Sequence, residues 1–263
     1  MEPLPVQVLA GCRILQVACG MAHTIFLSED SRVFSCGKGG GGRLGTGDSP
    51  HALVNTPTQI NPRYFMSHPS AGKESRVRFV FAGHAHSGAL CKDGAAYAWG
   101  HALRGQLGLD VDAASVHLPT FVDALSREVI VSAAAGYSTS MFVNDVGDVF
   151  SCGTCKWGSH GHGRNTMVKL PQLVAELCGK DAASAALLLK PTLFAGAPVA
   201  KVSCGVGHTA AMTCDGNLLL WGCNLYGQCA ASGDILDIPV QFGRSFIPDC
   251  VSLCSRNSSK TFV

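Results

Sequence analysis

A pair of glycines seventeen residues apart recurs four times along this chain, with connectors of different lengths between the pairs. The first glycine of each pair opens a step of the form G-x-x-[HT]-[TS]. A fixed internal spacing between variable connectors indicates one structural unit copied several times, so the fold is expected to be a stack of similar units. The four pairs are Gly20/Gly37, Gly83/Gly100, Gly136/Gly153 and Gly205/Gly222.

Each copy predicts three short β-strands. In the fourth copy, Val202–Cys204 leads into the glycine step, and the apolar runs Thr209–Thr213 and Leu218–Trp221 flank Asp215-Gly216. Asp-Gly between two such runs is a strong hairpin signal, and the second copy carries Asp93-Gly94 at the same place. We expect a tight turn in which both central residues adopt a positive φ.

A proline followed three residues later by an apolar residue marks a fourth strand after each copy. The same signature is found before the first copy, at the N-terminus. The pairs are Pro5/Val8, Pro57/Ile60, Pro119/Val122, Pro171/Val174 and Pro239/Phe242.

Four four-stranded units predict an all-β fold, namely a β-propeller of antiparallel blades that pack radially. We assign one domain, residues 1–263, with repeat units at about 12–62, 77–125, 129–177 and 199–245. A degenerate partial fifth copy covers about 248–263, and a partial unit precedes the first copy. Insertions at about 61–76 and 178–195 lengthen two connectors, and a short helix is expected at 181–189. The copies are enough for a partial or small ring, or for a fragment of a larger one.

The composition excludes several functional classes. Twenty basic and eighteen acidic residues give a net charge of +2 without a basic tract, so neither nucleic acid nor an anionic membrane is an expected partner. Thirteen cysteines are an odd number, and the N-terminus lacks the features of a signal peptide. We therefore expect a reduced, intracellular, cytoplasmic protein, with cytoskeletal or nuclear association left open.

The order G-x-x-H-T, D-G, W-G and G-Q-L-G resembles the repeat of the regulator of chromosome condensation family. The second copy carries it as Gly83/His86/Ser87, Asp93-Gly94, Trp99-Gly100 and 105–108. The resemblance covers nearly the whole chain and implies a propeller that members usually build from seven blades. It also implies binding to other proteins, and in the founding member guanine-nucleotide exchange on the small GTPase Ran.

Residues at repeated positions are expected to be structural. In the resembling family the histidine of this step packs within the blade and is hydrogen-bonded to neighbouring backbone, and the tryptophan place belongs to the core. The residues assigned to this structural role are Gly20, His23, Gly37, Gly83, His86, Trp99, Gly100, Gly136, Gly153, Gly205, His208, Trp221 and Gly222. No catalytic residue is assigned.

Two motifs resemble a dinucleotide-binding site and a zinc site, but the repeat gives their residues a structural role instead. The 37–42 stretch matches the G-x-G-x-x-G dinucleotide fingerprint, but a turn sequence follows it where that site needs a helix, so no cofactor is expected. The third copy places Cys152, Cys155, His160 and His162 close together as candidate zinc ligands. Because Cys152 takes the tryptophan place and His160 the leucine place, we expect instead a packed cysteine and exposed loop histidines.

The breaks in the repeat are where partner contacts are expected. Arginine and aromatic residues in the first insertion, a loop tryptophan and apolar residues of the second insertion are typical of contact surfaces. These residues are Arg63, Tyr64, Phe65, Trp157, Leu187 and Leu188. The sequence thus predicts a non-enzymatic scaffold that binds protein partners as a structural subunit of a multi-subunit assembly. The alternative is a guanine-nucleotide exchange factor for a small GTPase.

Overall fold

The computed structural model describes residues 6–47, 53–65, 76–163, 165–177 and 197–242. These residues form four antiparallel sheets of four strands each, which confirms the predicted all-β propeller blades. The strands are β1 Ile14–Cys19, β2 His23–Ser28, β3 Val33–Lys38, β4 Leu53–Gln59, β5 Val77–Ala82, β6 His86–Cys91, β7 Ala96–His101, β8 Ser115–Phe121, β9 Ile130–Ala135, β10 Thr139–Asn144, β11 Val149–Cys155, β12 Thr166–Leu173, β13 Val199–Cys204, β14 His208–Thr213, β15 Leu218–Cys223 and β16 Ile235–Phe242. Short 3-10 turns lie at Gln7–Leu9, Gly40–Gly42, Pro62–Tyr64, Asp123–Leu125 and Ala175–Leu177.

Each sheet is a simple meander in which strands pair in chain order, and each sheet is one blade. Neighbouring blades meet through their first strands, with β1 against β5, β5 against β9, and β9 against β13. First strands that contact one another in sequence place the inner edges of the blades along a common axis. Between the described strands of the first and fourth blades no comparably extensive packing is found.

The hydrophobic core lies between the blades. Ile25 and Leu27 of blade 1 pack with Val80 and Trp99 of blade 2, and similar clusters join blades 2 and 3 and blades 3 and 4. Burying one such side chain contributes about 1.5–3 kcal/mol, so each blade depends on its neighbour for stability. The outer face of blade 1 shows the contrast, because Val17 is 52% exposed whereas Val80, at the same repeat position, is 1% exposed.

In the first two copies, the first glycine of each pair lets the histidine ring and the backbone of the next blade lie close to its α-carbon. A Cβ placed on Gly83 would lie 2.5 Å from the carbonyl oxygen of Gly136 in the next blade and would overlap the ring of His86. Gly20 stands in the same relation to Gly83 and to the ring of His23. The histidine ring therefore lies against the α-carbon of the glycine that precedes it by three residues.

The second glycine of each pair is needed for a different reason. Gly37, Gly100, Gly153 and Gly222 have φ between 105° and 113°, a region that side-chain-bearing residues rarely adopt. Each pairs across the β-hairpin with the residue three positions after the first glycine, as in His86 with Gly100. The seventeen-residue spacing is therefore the hairpin register expressed in the sequence.

The Asp-Gly hairpins are confirmed, but the predicted turn geometry is wrong. Gly94 and Gly216 have positive φ whereas Asp93 and Asp215 do not. The amide of Gly94 donates to the carbonyl of Cys91, and the amide of Cys91 donates to the carbonyl of Ala95. This pattern is a type I turn followed by one left-handed residue, so only the glycine position requires positive φ.

The apolar residue of the N-terminal signature lies two residues before its predicted place, whereas Pro5 lies outside the described residues. Val6, and not Val8, precedes the first 3-10 turn with φ and ψ of −84° and 91°, close to the −87° and 86° of Val122. The later pairs ending at Ile60, Val122 and Val174 bring fully buried side chains to the inter-blade core.

The two glycine classes lead to a direct stability test. Gly100→Ala is expected to reduce the free energy of unfolding by more than about 3 kcal/mol, since its Cβ would lie 2.7 Å from the α-carbon of His86 in addition to the unfavourable φ. Gly227→Ala is the matched control, because its φ is +74° but nothing lies within 4 Å of the added Cβ. Urea unfolding of both variants should show a loss of about 1–2 kcal/mol in the control. Equal losses would contradict the close-approach argument.

Candidate functional site

One end of the strands carries the connections between first and second strands and between third and fourth strands of every blade. We call this end the loop face; the hairpin turns between second and third strands lie at the opposite end. The loop face displays large apolar side chains that are 40–91% exposed. These are Met21, Leu103, Tyr137, Val206, Leu225 and Tyr226.

Beneath the loop face, a hydrogen-bonded relay joins adjacent blades. His86 Nε2 lies 2.9 Å from Ser140 Oγ in the next blade, and Ser140 Oγ donates to the carbonyl oxygen of Gln106 at 2.7 Å. A serine hydroxyl has a single proton, so its donation to the carbonyl requires that His86 Nε2 carry the proton shared with Ser140. Because Nδ1 has no hydrogen-bond partner in the part of the chain that the structure describes and burial lowers the pKa of His86 to about 3, His86 is a neutral imidazole with its proton on Nε2.

The same relay joins blades 1 and 2. His23 Nε2 lies 2.8 Å from Ser87 Oγ, which donates to the carbonyl oxygen of Arg43 at 2.8 Å. In both histidines Nδ1 is buried without a hydrogen-bond partner among the described residues. The histidines, which the sequence predicts to be structural, thus contact a hydroxyl of the next blade as well as backbone, which is that of His86 for His23 and that of Thr139 for His86.

Side chains at the tryptophan position donate hydrogen bonds to the same loop carbonyl groups. Trp99 Nε1 donates to the Arg43 carbonyl oxygen at 3.1 Å, and Trp221 Nε1 donates to that of Ser159 at 2.9 Å. Where the third copy has cysteine, the thiol of Cys152 donates to the Gln106 carbonyl oxygen at 3.7 Å. One loop carbonyl in each of blades 1 to 3 thus accepts hydrogen bonds from two side chains of the next blade.

The sequence reasoning missed the hydroxyls, although they were part of the repeat. Thr24, Ser87, Ser140 and Thr209 directly follow the histidine position, and three of them bridge to the preceding blade. Thr209 Oγ1 donates to the Ser159 carbonyl oxygen at 2.8 Å, but no histidine joins it because the third copy has Thr139. The ring of the fourth histidine, His208, lies against Gly205 as in the other copies.

Burial and neighbouring cations keep the relay histidines neutral. Burial, with smaller contributions from Arg43 and His84, lowers the pKa of His23 to about 4. Burial, followed by the charge of His23, lowers the pKa of His86 to about 3. Neither histidine reaches a substrate, since the two are 4% and 0% exposed. These side chains are suited to holding blades together and not to acid–base chemistry.

The four candidate zinc ligands do not form a metal site. Cys152 is fully buried, and burial raises its thiol pKa to about 12. The sulfur of Cys155 accepts hydrogen bonds from the Ser159 amide at 3.1 Å and hydroxyl at 2.8 Å. His160 Nε2 pairs with Thr166 Oγ1 at 2.9 Å, and His162 Nε2 with Ser151 Oγ at 2.9 Å.

Each candidate donor thus has a separate partner, and across the described parts of the chain no three or more His, Cys, Asp or Glu side chains converge on a metal position. The expectation of exposed loop histidines is also wrong for His160, which is fully buried. It fills the place of a core leucine while its ring nitrogens bond within its own loop.

The predicted contact residues separate into different environments. Phe65 is 2% exposed and packs edge-on against Tyr97 at 5.6 Å and Trp99 at 6.1 Å between ring centroids, so its assignment to a partner surface is wrong. Tyr64 packs partly against the same cluster, and Arg63 is exposed. Leu187 and Leu188, together with the helix expected at 181–189, lie outside the described residues.

Trp157 lines a pocket between blades 3 and 4 that opens on the loop face. Its ring lies on the backbone of Gly207, where an added Cβ would approach Cε3 to 2.5 Å. We call this cavity of about 490 Å³ the blade 3–4 pocket. It is lined by Arg104, Tyr137, Ser138, Thr139, Thr154, Cys155, Lys156, Trp157, Ser159, Asn165 and Val206.

In the described part of the chain, no helix has the length and apolar character needed to cross a membrane.

The four-stranded meanders, the shared axis and the repeated inter-blade relay define the class: a β-propeller repeat protein. Family comparison then gives the particular family. Models described as the regulator of chromosome condensation (RCC1) repeat match residues 30–90 and 93–143, and residues 14–43 and 199–228. These matches together cover more than half of the chain, which belongs to the RCC1 repeat family.

Individual proteins agree with this assignment. The ultraviolet-B receptor UVR8 of Arabidopsis thaliana is 30% identical over 233 residues, covering 89% of this chain and 46% of the receptor. The crystal structure of human WBSCR16 superposes with a TM-score of 0.68 at 26% identity, covering 87% of this chain and 52% of that chain. Prp20p of Saccharomyces cerevisiae shares the fold, with a TM-score of 0.64 at 23% identity over 89% of this chain and 51% of that chain. The chain thus spans about half the length of these three proteins.

The relay predicts how stability depends on pH. The pKa values of His23 and His86 are below the ordinary 6.5, so their neutral forms stabilise the fold above that pH, and the stabilisation is lost as pH falls toward 4 and 3. Acidification from pH 7 to pH 5 should lower the free energy of unfolding by about 2 kcal/mol for each of the two histidines. Denaturant unfolding of wild type and His86→Thr at both pH values is the measurement. The variant should be less stable at pH 7 and should lose about 2 kcal/mol less on acidification, and an unchanged pH dependence would contradict the assignment.

Proposed function

We propose that this protein is a non-enzymatic interaction module that binds protein partners through its loop face, as a subunit of a larger assembly. The observation that carries the proposal is the set of exposed apolar side chains at the loop ends, from Met21 in blade 1 to Tyr226 in blade 4. Large apolar groups gathered on one surface are typical of protein interfaces, and Tyr, Met and Arg are enriched there.

Two further observations support a binding role. His23 and His86 are buried and neutral, so they serve inter-blade packing and are not exposed bases. RCC1-family relatives include the receptor UVR8, and the structurally similar Prp20p binds Gsp1p and histones, which are proteins. None of the described cysteines is in a disulfide bond, which suits a reducing, intracellular compartment.

Affinity capture of the tagged full chain from its native cells tests the proposal. The loop-face variant combines Met21→Ser, Leu103→Ser and Tyr226→Ser. The matched control combines Val8→Ser, Val129→Ser and Val146→Ser, which are 45–54% exposed at the opposite end of the blades. The loop-face variant should reduce recovery of the main copurifying proteins at least tenfold, since central interface residues contribute about 2 kcal/mol or more each. Equal recovery in both variants, or no copurifying protein with wild type, would refute the proposal.

Guanine-nucleotide exchange is the alternative that the family suggests. The fold is shared with Prp20p, but fold likeness alone does not transfer an activity. Release of fluorescent GDP from a panel of small GTPases separates the two functions. The scaffold function predicts no acceleration at substoichiometric amounts of this protein. Acceleration that is lost in the loop-face variant would replace the scaffold proposal by the exchange factor.

A further inference from the structure

The blade 3–4 pocket exists where the repeat departs from its own pattern. Between blades 1 and 2 and between blades 2 and 3, the rings of His23 and His86 occupy the space above the glycine step and reach the next blade's hydroxyl. The third copy has Thr139 at this position, and its short side chain lines the pocket without reaching blade 4 in the same way. Without that imidazole, Thr209 Oγ1 donates to the carbonyl oxygen of Ser159 and otherwise contacts only the sulfur of Cys204 in its own blade, at 3.8 Å.

Two aromatic rings form the walls of this pocket, and each has a cation beside it. The Arg104 guanidinium carbon lies 5.7 Å from the centroid of the Tyr137 ring. Lys156 Nζ lies 6.0 Å from the centroid of the Trp157 ring. The lining also offers hydroxyl and amide groups from Thr154 and Asn165, and none of its eleven residues is acidic. The pocket therefore presents positive charge and aromatic faces together.

Arginine side chains near the pocket add to the positive charge of this part of the loop face. The ring of His84 packs on that of Tyr137, with 4.2 Å between centroids. Burial lowers the pKa of His84, and the charges of Arg43, Arg104 and His101 lower it further. Arg43 and Arg104 belong to loops of blades 1 and 2, so positive charge extends along the loop face toward the pocket. An anion approaching this surface is attracted before it makes contact.

We propose that the blade 3–4 pocket binds an acidic side chain, aspartate or glutamate, from an extended segment of the partner protein that occupies the loop face. The carboxylate would pair with Arg104 and Lys156, and the neighbouring apolar part of the segment would pack on Tyr137 and Trp157. A free inorganic anion would use the cations but leave both aromatic walls unused, which favours a peptide. This inference rests on the proposed function and specifies the chemistry of its partner.

Trp157 provides a direct readout of binding. The chain has three tryptophans, and Trp99 and Trp221 are 0% exposed, so a soluble quencher reaches Trp157 preferentially. The probe is the blocked hexapeptide acetyl-Glu-Leu-Glu-Leu-Glu-Glu-amide, and its comparison is the same peptide with glutamine at each glutamate. Titration at low ionic strength, followed by fluorescence and calorimetry, should give at least tenfold tighter binding of the acidic peptide. Its affinity should fall as salt is added.

Three variants locate the binding. Arg104→Gln with Lys156→Gln should weaken the acidic peptide at least tenfold. The control Arg76→Gln with Lys92→Gln removes the same charge from exposed residues at the opposite end of the blades and should leave affinity unchanged. Thr139→His restores the residue of the other copies, and its ring would fill the pocket and meet Thr209 Oγ1. This variant should abolish peptide binding while its melting temperature stays equal to or above that of wild type.

Several results would overturn the inference. These are equal binding of the two peptides, binding that persists with both cations removed, and protection of Trp157 by inorganic phosphate but not by the acidic peptide. If the peptide fails to bind while the loop-face variant still loses its captured partners, the pocket inference is wrong and the proposed function stands. If the peptide binds as described but capture recovers no partner, the proposed function fails and the anion site stands.

Discussion

The fold depends on one shared acceptor in each of blades 1 to 3, the carbonyl group of the loop between the third and fourth strands. Arg43, Gln106 and Ser159 supply it, and each accepts a hydroxyl hydrogen bond and a second hydrogen bond from the following blade. A buried carbonyl left without partners costs about 1–3 kcal/mol, so these contacts select the one blade-to-blade arrangement that satisfies every acceptor. Hydrophobic burial supplies most of the driving force, and the relay sets the alignment.

The relay also explains why glycines dominate the sequence pattern. The histidine can reach the next blade only if its ring lies flat on the α-carbon three residues earlier, where any side chain would overlap it. The hairpin partner of the histidine needs a φ near 110°, which again requires glycine. Two glycines with different physical duties therefore hold one imidazole in place. In the third copy Thr139 replaces that imidazole, and a cavity opens although both glycines are kept. The interfaces between blades 1 and 2 and between blades 2 and 3 are therefore packed, whereas the interface between blades 3 and 4 contains a pocket.

The hairpins and the four-stranded meanders could be predicted from the sequence, because both follow from local turn and strand chemistry. The relay partners could not, since Ser87 lies 64 residues from His23 and only the stacking of blades brings them together. Phe65 was predicted at a contact surface because it lies in an insertion, yet the chain folds back and buries the ring against Trp99. The two cysteines and two histidines of the third copy suggested a zinc site because their spacing along the chain can be seen in the sequence. The separate hydrogen-bond partner of each side chain can be seen only in the structure.

The central claim is that the histidine–hydroxyl relay couples neighbouring blades energetically. A double-mutant cycle between His86 and Ser140, with each changed to alanine singly and together, measures this coupling in the free energy of unfolding at pH 7. The relay predicts a coupling of at least about 1 kcal/mol, because each single variant leaves the other partner buried without its hydrogen bond. Losses that add to within about 0.3 kcal/mol would contradict the account and leave hydrophobic packing alone to hold the blades together.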